Sequence, residues 1–265
     1  MNHAGQTGAM SERFLSDLER ACQTFAAQPG QIAVIVESKS DPSDRVAVNP
    51  TLAMPSASLI KVAIACAAAA DPDLNLSTPR RIGDLDETFY CSILQAFEPG
   101  DKVSLKALIG LMLIVSDNPA TSAVLNEMGM DKVNAWLAEN GLNGTNVCVG
   151  FDDDSLGAPL RANLTHAEDC LNLLKLVETT PEYGFVLHML RNNLRNDRIP
   201  RLLPDRAVIG HKTGTLNGLM HDIAVIDSPD AGYYLIVLAN GLPDGHDFAG
   251  EIARFSKAVH DLMAE

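Results

Sequence analysis

Residues 207–239 read AVIGHKTGTLNGLMHDIAVIDSPDAGYYLIVLA, and within that stretch three short apolar runs, at 207–213, 222–226 and 233–239, stand between turns built from Gly, Asn and Pro. Short apolar runs rich in Val, Ile and Tyr and bounded by turn residues predict strands. Connections this brief favour antiparallel neighbours, because parallel strands need crossovers of roughly a dozen or more residues. Residues 248–263 then carry apolar side chains at helical spacing and predict a closing amphipathic helix.

Upstream the period changes. From about residue 59 to 190 the pattern is mostly helical, clearest at 105–115, 120–128, 130–140 and 167–177. Residues 11–27 predict a first helix that Pro29 and Gly30 stop, followed by a strand at 32–37, a polar turn at 38–44 and a returning strand at 45–48. The expectation is an α+β fold: an antiparallel sheet of about five strands flanked by N- and C-terminal helices, with an all-helical lobe inserted. Residues 11–58 and 201–265 would form the sheet lobe and 59–200 the helical lobe, with a cleft between them and residues 1–10 outside both.

Composition narrows the functions. Acidic residues outnumber basic ones by 34 to 20, and no basic stripe offers a path for a polyanion, so nucleic acid is not an expected partner. The most apolar run, 62–70, is too short to cross a bilayer, and no membrane partner is expected. The first ten residues lack the basic start, apolar middle and small-residue cleavage site of a secretory signal, so a cytoplasmic location is expected. Cys22, Cys66, Cys91, Cys148 and Cys170 are scattered singly, which fits reduced, mostly buried thiols. His166, His211, His221 and His246 show no HExxH-type spacing, and neither a metal nor another cofactor is expected.

Three short motifs carry the chemistry. In Ser58-Leu59-Ile60-Lys61 a hydroxyl and an amine fall one helical turn apart at the start of an apolar helix. A serine is a weak nucleophile until a base takes its proton, and a lysine kept neutral by burial can be that base. Alone the spacing is weak, since about one S-x-x-K is expected by chance in a chain of this length. A capping serine with a snorkelling lysine explains it equally well. Ser116-Asp117-Asn118-Pro119 lies between two predicted helices, and Asn118 before Pro119 fits an N-cap followed by the first helical position. It also places a hydroxyl that could relay a proton and an amide that could hold a substrate carbonyl. In His211-Lys212-Thr213-Gly214-Thr215, at a strand end, glycine permits close approach of a ligand backbone, and Lys212 with Thr213 or Thr215 could bind a carboxylate. A solvated edge-strand lysine beside a turn glycine is the plainer alternative.

In this order and context the three motifs make a joint signature, and over roughly residues 11–263 the chain resembles class A-type serine β-lactamases and their penicillin-recognising relatives. The resemblance implies that Ser58 is acylated, Lys61 is the base and Ser116 shuttles the proton. It also implies that Asn118, Lys212, Thr213, Gly214 and Thr215 bind a small amide or β-lactam substrate, and that the N–H groups of Ser58 and Thr215 form the oxyanion hole. The family's deacylating glutamate is missing. Between residues 144 and 165 the carboxylates are Asp152, Asp153 and Asp154, in a segment shorter than the family loop, and Thr165-His166-Ala167-Glu168 fits a capping box. No arginine stands near Met220 or His221 to meet a substrate carboxylate, which leaves His221 as a plain strand residue or a weak substitute. The expectation is an acylating serine hydrolase with slow release. A penicillin-binding, peptidase- or amidase-like enzyme, an acyl transferase and a non-catalytic binding relative are the alternatives.

Overall fold

A computed structural model describes residues 12–85, 92–151 and 162–264. Helix α1 (Glu12–Ala26) leads through Gly30 into β1 (Gln31–Ser38) and β2 (Arg45–Val48). Gly30 has φ of 111°, and a Cβ there would stand 2.9 Å from Asn240 O, so only glycine lets the chain enter the sheet beside that strand. The last three strands, β7 (Val208–Leu216), β8 (Leu219–Asp227) and β9 (Gly232–Asn240), precede the closing helix α8 (Phe248–Met263).

The five long strands form one antiparallel sheet in the order β2-β1-β9-β8-β7. The two chain ends meet at its centre, where Val34 pairs with Val237 and Ile35 with Ile236. Successive residues divide by face. Ala33, Ile35, Ile223, Ile236 and Leu238 pack toward the helical lobe, whereas Ile32, Val34, Ala224, Val237 and Ala239 pack against the terminal helices. Both faces are therefore dry, which is why these strands read as unbroken apolar runs and not as alternation. Strand β7 lies at the sheet edge and turns its unpaired side to the cleft.

The inserted lobe holds α2 (Ile60–Ala70), α3 (Leu105–Ile114), α4 (Asn118–Met128), α5 (Met130–Glu139), α6 (Ala167–Thr179) and α7 (Gly184–Leu190). Two small strand pairs edge these helices: β3 (Met54–Pro55) with β6 (Leu164–Thr165), and β4 (Pro79–Arg81) with β5 (Lys102–Ser104). The expected capping box before α6 is not made. Thr165 belongs to β6, so the cap moves one residue on, and His166 Nδ1 accepts the Asp169 N–H at 3.0 Å. Glu168 instead pairs with Arg45. Asp169 accepts from Gly144 N and Thr145 Oγ1, each at 2.8 Å. Cys22, Cys66 and Cys170 are buried and free, and Cys148 is free and half-buried; Cys91 lies outside the described residues. No helix among the described residues is long and apolar enough to cross a membrane.

Helices α1 and α8 are locked to one another by Phe25, whose ring stacks on Phe255 with centroids 4.3 Å apart and lies 5.5 Å from Phe248. Phe25→Ala should therefore lower the free energy of unfolding by about 3–5 kcal/mol in urea denaturation. A loss under about 1 kcal/mol would mean that the terminal helices barely support the sheet.

Candidate active site

Ser58 sits in a one-turn 3-10 helix, Ala57–Leu59, that runs directly into α2. The residue before it, Ala57, has φ of 46°, a left-handed conformation that a residue with a Cβ adopts only under constraint. Three contacts impose it. Ser56 N donates to Asn163 O at 2.6 Å, and His221 Nε2 meets Pro55 O at 2.9 Å. Gly214 of β7 presses so close that a Cβ would stand 3.2 Å from both Ala57 Cβ and Ser56 O. Glycine in the third motif therefore lets the sheet support the nucleophile turn.

Helix α2 is apolar all round and buried from Ile60 to Ala68, and it carries Lys61 into the core with it. The amine hydrogen-bonds Ser116 O at 2.8 Å, Ser116 Oγ at 3.2 Å and Asn118 Oδ1 at 2.7 Å. The Phe151 ring centroid lies 4.9 Å from it. Desolvation, followed by the charge of Lys212, pushes its pKa well below the usual lysine value.

Ser116 has φ of 63° and projects from the α3–α4 connection. The N-cap of α4 is Asp117, not Asn118. Its carboxylate accepts from Ala120 N at 3.0 Å, Ser92 Oγ at 2.8 Å and Ile93 N at 2.9 Å, and an ionised acceptor is favoured at a helix N-terminus. That shift frees the Asn118 amide to face Lys61. From β7, Lys212 Nζ donates to Ser116 Oγ at 3.1 Å and Thr213 O at 2.9 Å, and burial lowers its pKa to about 7. Ser58, Lys61, Ser116, Asn118, Lys212, Thr213, Gly214 and Thr215 thus converge around one cleft of about 420 Å³.

His221 is no substitute cation. Both ring nitrogens are occupied by backbone, since Nδ1 accepts from Ala239 N at 3.0 Å while Nε2 faces Pro55 O. Burial pushes its pKa down to about 4 and keeps it neutral. The cation comes instead from the connection between α7 and β7. Buried Arg198 donates from Nη1 to Gly214 O at 2.9 Å and from Nη2 to Thr215 Oγ1 at 2.5 Å. The search near Met220 missed it because it arrives from another element. The paired cations of Arg195-Asn196-Asp197-Arg198, just before the strand that carries Lys212, were the available signal. Leu194 and these four residues form the outer wall of the cleft. The triplet Asp152 to Asp154 lies outside the described residues.

With this fold and cleft, the chain belongs to the Beta-lactamase enzyme family, whose model matches residues 16–263. Solved structures share the architecture across nearly the whole chain. A β-lactamase from Sphaerobacter thermophilus DSM 20745 is 22% identical with a TM-score of 0.81, covering 94% of this chain and 97% of that one. PBP-A is 21% identical with a TM-score of 0.78 and coverage of 93% and 95%. The TLA-3 extended-spectrum β-lactamase is 20% identical with a TM-score of 0.83 and coverage of 95% and 100%. At these identities the likeness establishes the fold. No curated protein matches the chain by sequence.

The neutral state of His221 makes the nucleophile turn acid-sensitive. Its folded pKa of about 4 lies below the ordinary 6.5, so between those values the unfolded chain binds the extra proton. This stabilisation is complete above about pH 6.5 and is lost as pH falls toward 4, a change of about 3 kcal/mol. His221→Asn, whose amide does not titrate, should be less stable at pH 7 and should converge on the parent toward pH 4 in urea denaturation. A constant difference across that range would contradict this account.

Proposed function

We propose that the chain is an active-serine hydrolase that opens a β-lactam or related amide through an acyl-enzyme on Ser58 and releases the product slowly. The observation that carries this reading is the meeting of two buried amines, Lys61 and Lys212, on the Ser116 hydroxyl at 3.2 and 3.1 Å, beside Ser58 at the cleft. Neutral Lys61 takes the proton from Ser58 as its Oγ attacks the carbonyl carbon. The N–H groups of Ser58 and Thr215 receive the oxyanion. Ser116 passes the proton on to the departing amine, and Asn118 holds the acyl side. Lys212, Thr213 and Thr215, with Arg198 behind Thr215, receive a substrate carboxylate. A solved structure of the similarly folded PBP-A is an acyl-enzyme complex with penicillin G, which supports the same intermediate here.

Slow release has its own support. The Phe151 ring covers one side of the Lys61 amine. The described carboxylates nearest the cleft are engaged, Asp117 in capping α4 and Asp197 at 3.8 Å from Arg198 Nε. Loss of a general base for water lowers a rate by roughly 10²- to 10⁴-fold, enough to make the acyl-enzyme accumulate.

Intact-protein mass followed in time after mixing with a penicillin should show one adduct that persists for many minutes, and Ser58→Ala should show none. An adduct on Ser58→Ala, or none on the parent, would sink the proposal. The acylation rate should also fall above about pH 7 as Lys212 loses its proton, since the neutral amine no longer draws the substrate carboxylate. Lys212→Arg, with a guanidinium that stays charged, should move that limb upward by at least about two pH units. An unmoved limb would assign it to another group.

A further inference from the structure

Arg195 differs from the other cations of the cleft. It is exposed at the rim, and its guanidinium makes one long hydrogen bond, from Nη2 to Val115 O at 3.4 Å. Neighbouring Arg191 pairs with Asp227 and Arg198 with Asp197, whereas among the described residues no carboxylate is in ion-pair contact with Arg195. In a chain with 34 acidic and 20 basic residues, a counterion would be easy to supply. The charge also works against its surroundings, because it helps to depress both Lys61 and Lys212. An unpaired cation that opposes two others at a cleft is retained for a ligand more readily than for the fold.

The loop that presents Arg195 is fastened on both sides. Its backbone N–H donates to Asn193 Oδ1 at 2.7 Å, and Asn193 Nδ2 reaches His211 O at 3.0 Å. Asn196 Oδ1 lies 3.0 Å from His211 Nε2, and His211 Nδ1 lies 3.0 Å from Asp222 Oδ1. The guanidinium is thus delivered to a fixed place. Ser116 relays the proton to the leaving atom, so residues on the Lys212 side of Ser116 face the leaving group. Arg198 is committed to β7 and Thr215, which leaves Arg195 as a separate cation on that side.

We infer that the substrate's leaving group carries two anionic groups, one received by Lys212, Thr213 and Thr215 and the second by Arg195. This inference rests on acylation of Ser58. The substrate class is then an acyl derivative of a diacid, such as an N-acyl amino dicarboxylate. In the reaction the Ser58 Oγ–acyl bond forms and the acyl–nitrogen bond breaks. The Ser58 proton travels through Lys61 and Ser116 to the departing nitrogen.

Hippuryl thioesters of thioglycolate and of mercaptosuccinate test it, because they deliver the same acyl group from leaving groups with one and two carboxylates. Thiol release gives the acylation rate constant, divided for each ester by its spontaneous hydrolysis in the same buffer. The dicarboxylate ester should react about threefold to tenfold faster, and the ratio should shrink with added salt. Arg195→Gln should bring the ratio close to one, and Arg191→Gln should preserve it. A ratio near one in the parent, or a high ratio that survives in Arg195→Gln, overturns the inference and leaves the acylation of Ser58 standing. Thiol release no faster than with Ser58→Ala overturns both.

Discussion

The Ser116 hydroxyl stands between two buried amines, one from helix α2 and one from strand β7, and the chemistry of the cleft depends on that three-way contact. Burying an ammonium is costly unless it is fully paired, and here each amine finds hydroxyl, carbonyl or amide oxygens but no carboxylate at hydrogen-bond distance. The cheaper response is to lose a proton. Desolvation and mutual repulsion push both amines down, Lys61 further than Lys212, and this asymmetry divides their roles. The neutral amine serves as base and the partly charged one as anion receptor.

That contact exists only because the two lobes meet at a fixed distance. The sheet brings β7 to its edge, Gly214 lets β7 touch the turn ahead of Ser58, and the His221 ring ties Pro55 to β8 and β9. Ala57 and Ser116 hold left-handed backbone at the two sides of the cleft. Each such residue costs of order 1–3 kcal/mol, and the two large apolar cores on either face of the sheet offset it. Strain is concentrated where hydroxyls must be aimed.

Much of this was legible because it rests on local pattern. Strand β2 and helix α8 run over the residues their periodicity indicated, and the late strands were marked by turn residues on either side. The three motifs were visible as spacings, and the fold gathers them. Contacts between distant elements were not visible. His221 looked like a lone strand histidine because its partner, Pro55, is 166 residues away. Arg198 was missed because the search followed one strand while the cation arrived from a connection on the helical side. The two caps were misread by one residue for opposite reasons. Asp117 takes the cap through its stronger acceptor, while Thr165 loses it to pairing with Met54.

The most direct test of the central claim is the protonation state of Lys61 in the resting protein, read from the ¹³Cε shifts of ¹³C-labelled lysines during a pH titration, with Lys61→Arg identifying its signal. The account requires Lys61 to titrate well below the ordinary lysine value of 10.5 and below Lys212, so that a neutral amine faces Ser58 near pH 7. A Lys61 signal that stays protonated past pH 9 would contradict it and leave Ser58 without its base.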